Sequence, residues 1–145
     1  MNVFQLNFHE RLRSWRELRI KIESLTLDQK CIEIDRWWQQ APLINHYLHW
    51  TDTKNWPDPW TLLSENNYCT LTRALGICYT LLMSNISDIE LVQATDCQCE
   101  EHNLVLVDNA KYILNFWPDS VISTNLKDFT ILRSISLDVI KTKIR

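Results

Sequence analysis

Hydrophobic and polar positions along the chain follow two periods, and the change comes near Asn85. Before it the spacing is helical. "FHERLRSWRELRIKIESL" places Leu12, Trp15, Leu18, Ile22 and Leu25 three and four residues apart, which predicts an amphipathic helix with a charged outer face. Thr26 and Gln29 have capping-box spacing ahead of a second helix. That helix carries Leu27, Cys31, Ile34 and Trp38 on one stripe, with Trp37 beside it. "QQAPLINHYLHW" breaks at Pro42 and resumes as a short helix with His46 and His49 on one face. Asp58 and Pro59 fit the cap and first turn of a further helix. Then comes the most apolar segment, with Leu71, Ala74, Leu75, Cys78 and Leu82 in a stripe widened by Tyr79 and Leu81, which predicts a central helix.

After Asn85 the segments are short and β-branched. "IELVQATD", "HNLVLVD", "KYILNFW", "SVIST" and "FTILRSISLDVI" predict strands of a largely antiparallel sheet. Helices first and strands second is an α+β layout: N-terminal helices and a central Cys-bearing helix packed on a C-terminal antiparallel sheet. The 145 residues suit one domain, with 1–55 as helical lead-in and 56–145 as core. Adjacent Trp37 and Trp38 cannot share one narrow stripe, so one of the pair is expected at a rim or interface.

Composition narrows the chemistry. Glycine occurs once, at Gly76, so no glycine-rich phosphate loop exists. The net charge of -3 argues against a nucleic-acid partner. No apolar run reaches membrane-spanning length, and the N-terminus lacks a signal-peptide plan. The five cysteines, an odd number, suggest free thiols in a reducing cytoplasmic setting. No cofactor is implied.

One constellation carries chemistry. Cys69 falls at the start of the central helix, where the helix dipole favours a thiolate. "HNLVLVDNAKYILN" predicts a hairpin turning on Asp108 and Asn109, with Val107 opposite Ala110 and His102 opposite Asn115. Opposed side chains share a face about 5 Å apart. His102, Leu104 and Leu106 then line one face with Ile113 and Asn115, and Val105, Val107, Tyr112, Leu114 and Phe116 the other. A Cys-His-Asn set can supply nucleophile, base and orienting amide.

In "WPDPWTLLSENNYC", "HNLVLV" and "YILNFW" the chain resembles the transglutaminase-like branch of the papain-like cysteine hydrolases, over roughly Trp56 to Pro118. The resemblance implies Cys69 as nucleophile, His102 as general base and Asn115 as orienting group, acting on an amide or isopeptide bond of a protein or peptide. Trp56 or Trp60 would shape the oxyanion region. Bacterial members usually have "GDC" where this chain has "NYC". The "WW…P…WPDPWTLL…C…ALG…YTL" texture is also similar to small proteins of tailed bacteriophages, which places the chain in a host cytoplasm. The alternative function is a non-catalytic interaction or assembly protein on the same scaffold. A third reading takes Cys97, Cys99 and His102 as metal ligands, with Cys69 or Asp96 as a fourth, although C-x-C-x2-H is not a usual zinc spacing.

Overall fold

A computed structural model describes residues 2–44 and 48–144. Of the segment after Pro42, residues 45–47, including His46, lie outside the described residues. Among the described residues, five α-helices and a four-stranded antiparallel sheet form an α+β fold. The helices are α1 (Phe8–Lys21), α2 (Leu27–Trp38), α3 (Pro59–Glu65), α4 (Thr70–Met83) and α5 (Leu137–Lys141). The strands are β1 (Ile89–Thr95), β2 (Glu101–Val107), β3 (Tyr112–Leu114) and β4 (Thr130–Ile135), in the order β3-β2-β1-β4. No helix among the described residues is long and apolar enough to cross a membrane.

α4 is the hub, as its composition predicts: every residue from Leu71 to Leu81 is buried. α2 packs on it, β1 and β2 of the sheet pack on it as well, and α1 reaches it through Trp15. Thr80 is its polar anchor. The Thr80 hydroxyl accepts the indole N–H of Trp15 at 2.8 Å and of Trp38 at 2.9 Å, and donates to the Gly76 carbonyl at 2.8 Å. One donor and two acceptor sites are all a hydroxyl has. Gly76 is required by close approach. A Cβ there would stand 2.6 and 2.7 Å from two ring atoms of Trp38.

Both tryptophans of the Trp37–Trp38 pair are buried, contrary to the expectation that one would sit at a rim. The chain start explains it. A short 3-10 turn, Val3–Gln5, brings Phe4 over both rings, with centroids 5.0 Å from Trp37 and 5.8 Å from Trp38. Trp37 Nε1 also donates to Ser14 Oγ at 3.1 Å. The Thr26 capping box is absent, because the Thr26 hydroxyl donates to Asp28. The Asp58 cap is present: its carboxylate accepts the Thr61 N–H at 2.7 Å, with Pro59 in the first turn.

The strand half is shorter than its periodicity predicts. "KYILNFW" contributes only Tyr112–Leu114, and "SVIST" forms turns, with Val121 buried against the core. "FTILRSISLDVI" divides into β4 and α5, because Ser136 caps Asp138 and Ile140 docks into the core.

The hairpin register also differs. Val107 pairs with Tyr112 and Val105 with Leu114, two residues beyond the predicted partners. Three successive left-handed residues, Asp108, Asn109 and Ala110, make a longer turn, and the Asp108 N–H bonds to Asp88 in front of β1. A shift of two preserves the faces. Val105, Val107, Tyr112 and Leu114 join the helix-side core, while Leu104, Leu106 and Ile113 form a second cluster on the far face. Alternation then fails at Asn115, whose φ of 70° ends β3.

Gly76→Ala tests the α4 packing. Helix propensity alone favours Ala by about 1 kcal/mol. Overpacking against Trp38 costs about 1–3 kcal/mol or more, since a buried indole bonded to Thr80 cannot step aside. The expected result is a lower urea midpoint; a higher one contradicts the packing.

Candidate functional site at the start of α4

Cys69 caps α4 and is 2% exposed. Arg11, Asn66 and Ile44 help to fix the loop that delivers it. Buried Arg11 donates to the Leu63 and Ser64 carbonyls at 2.9 and 3.3 Å, satisfying the open end of α3. Asn66 turns left-handed there, and its amide donates to Phe4 O at 2.9 Å. Ile44 N–H then donates to Tyr68 O at 2.7 Å, one residue before the cysteine. Thr72 closes the cap: its hydroxyl accepts the Cys69 N–H at 2.7 Å and lies 3.5 Å from Cys69 Sγ.

Asn115 reaches this helix start. Its Nδ2 donates to Thr70 O at 2.9 Å and to Asn103 O at 2.8 Å. Its Oδ1 accepts from Arg73 Nε at 2.6 Å. Its backbone N–H donates to Asp35 Oδ1 at 2.8 Å. One residue thereby joins α2, α4 and β2. Burial pushes the Asp35 carboxyl above its usual range, against the Asn115 N–H, the Gln39 amide and the Arg73 charge, which hold it down. Burial likewise lowers Arg73, and the Asp35 charge opposes that.

His102 does not join them. The left-handed turn at Asn115 rotates Asn115 toward α4 and Phe116 to the opposite face, reversing the predicted pair. The His102 ring packs edge-on against Phe116 at 4.9 Å and faces Phe129 at 6.1 Å. Its Nε2 lies 2.8 Å from Asp96 Oδ2. The sheet therefore separates His102 from Cys69.

The β2 residue that faces the helix start is Asn103, outside the Cys-His-Asn set expected from the sequence. Its Nδ2 donates to Thr70 Oγ1 at 2.8 Å, and its Oδ1 accepts from Trp50 Nε1 at 2.7 Å. A signal existed: Asn103 has the parity of Val105 and Val107. The tryptophan beside the site is Trp50, rather than Trp56 or Trp60. Trp56 packs edge-on behind it at 6.0 Å and donates to His49 O at 2.8 Å, and Trp60 is exposed.

No cysteine among the described residues is in a disulfide, and burial pushes Cys31 up to about 12 and raises Cys78 further. Cys97 and Cys99 are exposed. The metal-type cluster among the described residues is Asp96, Glu100 and His102, without the two thiols. Cys69 lies across the sheet from it.

These elements make a transglutaminase-like fold. Solved structures of Legionella pneumophila LapG share it. The calcium-bound form matches with a TM-score of 0.73 at 10% identity, over 90% of this chain and 77% of that one. Another LapG structure matches with a TM-score of 0.69 at 11% identity, over 89% and 74%, and an EGTA-treated form at 0.68. No family model matches the chain, and no curated protein sequence does.

Asp35→Asn probes the buried network. Because the folded-state pKa of Asp35 is raised, its ionisation opposes folding above the ordinary carboxylate range, and this cost disappears as pH falls through the raised value. The stability of the wild type relative to Asp35→Asn should therefore increase on acidification from neutral pH. Parallel urea midpoints that keep a constant offset between pH 7 and 4 would contradict it.

Proposed function

We propose that this chain uses its cysteine-protease-type scaffold to hold a protein or peptide segment, and does not hydrolyse it through a Cys69–His102–Asn115 relay. The observation that supports this reading is Asn103. A general base must take up a proton near neutral pH, and a carboxamide does not. Asn103 stands on the face of β2 toward α4, with hydrogen bonds to Trp50 and Thr70. His102, one residue earlier, points to the opposite face and is engaged with Asp96. Beside the Cys69 loop, Leu43 bridges Tyr68 and Leu43 and Ile44 are exposed, 46% and 53%, which offers apolar surface to an extended segment.

A second reading, a cysteine hydrolase or acyltransferase, is favoured by the helix-capping position of Cys69 in a fold shared with LapG. One of the LapG structures is calcium-bound. Calcium takes six to eight oxygen ligands. The Asp96–Glu100–His102 cluster supplies two carboxylates and an imidazole, with Asp96 already accepting from Gln98 and Glu100 N–H at 2.8 and 3.1 Å. That donor set does not fit calcium, so no step of either reading passes through it.

Iodoacetamide labelling near neutral pH, read by peptide mass mapping, separates the two readings. The binding reading expects Cys97 and Cys99 to label first, Cys69 more slowly, and His102→Ala to leave the Cys69 rate unchanged. A quenched-fluorescence peptide library should remain uncut. Fastest labelling at Cys69, together with cleavage that Cys69→Ala abolishes, would establish the hydrolase instead.

A further inference from the structure

The face of the sheet turned away from α4 carries a second feature. A cavity of about 430 Å³ opens between the turn after β1 and the segment joining β3 to β4. Its aromatic lining is Phe116, Trp117 and Phe129. Phe116 and Phe129 meet nearly at right angles, 85°, with centroids 5.1 Å apart, and Trp117 adjoins Phe116 at 5.9 Å and 68°. Trp117 is 65% exposed, a large apolar area to leave in water. Two carboxylates, Asp96 and Asp128, also line it, with hydroxyls of Ser120, Ser123 and Thr124 and the side chains of Cys97 and Gln98. No lysine or arginine is among the described residues that line it.

Rings set at right angles present both faces and edges to the space between them. Ring faces attract a cation within about 6 Å of the centroid. Carboxylates at the same cavity add long-range attraction and penalise an anionic guest. Asp96 is held in its charged form by the His102 ring first, then by the Glu100 and Gln98 backbone N–H groups. A neutral apolar guest would satisfy the rings and leave Asp128 without a counter-charge. A bare metal ion would satisfy the carboxylates and leave the rings idle. An alkylammonium satisfies both.

We propose that this cavity binds the side chain of a lysine presented by a partner polypeptide, its methylenes against Trp117 and Phe116 and its ammonium toward Asp128 and Asp96. The site lies across the sheet from Cys69 and is independent of whether Cys69 is catalytic. It gives the scaffold a recognition element separate from the Cys69 loop.

The test uses the whole chain, 15N-labelled, titrated with acetyl-Gly-Lys-Gly-amide and with the same peptide carrying norleucine in place of lysine. The readout is the indole N–H signal of Trp117, assigned by its loss in Trp117→Phe. The lysine peptide should shift that signal saturably and the norleucine peptide should not. Asp128→Asn should weaken the lysine peptide several-fold, and Trp117→Ala should weaken it more, as followed by calorimetry. Both residues are exposed, so a far-UV spectrum should show both variants folded. Equal binding of norleucine would make the cavity an apolar slot and overturn the proposal. Absence of saturable binding, or binding indifferent to both substitutions, would overturn it as well.

Discussion

The left-handed backbone at Asn115 governs the site. Asparagine tolerates this region better than other side chains bearing a Cβ. Here the conformation is held on all sides: Asp35 accepts its backbone N–H, Arg73 donates to its side-chain Oδ1, and the Thr70 and Asn103 carbonyls accept its side-chain Nδ2. Hydrogen bonds to charged groups contribute about 1.5–3 kcal/mol each, enough to fix a strained residue. Once Asn115 is fixed, β3 ends, the following Phe116 swings to the far face, and His102 acquires an aromatic neighbour. The separation of His102 from Cys69 and the lining of the far-face cavity follow from this one turn.

Packing supplies the rigidity behind it. α4 must lie close to both the sheet and α2 for Arg73 and Thr70 to reach Asn115. Gly76 admits Trp38, and the Thr80 hydroxyl binds Trp38 and Trp15 to the same helix. The single glycine and the dense tryptophans are thus two halves of one arrangement. Asp35, buried on α2, then sits where it can accept from Asn115 while sensing Arg73.

Much of this was legible in the chain. Helix periodicity located α1, α2 and α4, the Asp-Pro pair located α3, and β-branched runs located β1 and β2. Face assignment in β2 and β3 survived an error of two in the register, because parity decides faces. What periodicity could not carry was conformation at single residues. "LNF" reads as continuous alternation, and nothing local marks Asn115 as left-handed; Asp35, eighty residues away, is part of the cause. The same limit hid Asn103. A histidine next to an asparagine draws attention to the histidine, yet the asparagine shares parity with Val105 and Val107. Burial of both Trp37 and Trp38 depends on Phe4, which a stripe within one helix cannot reveal.

The central claim is that Asn103, and not His102, faces the start of α4. Nuclear Overhauser contacts on a labelled sample report it directly. The account predicts contacts from the Asn103 side-chain amide to the Trp50 indole N–H and to Thr70, and from the His102 ring to Phe116 and Phe129. A contact from the His102 ring to the Cys69 β-protons, with none from Asn103 to Trp50, would contradict it.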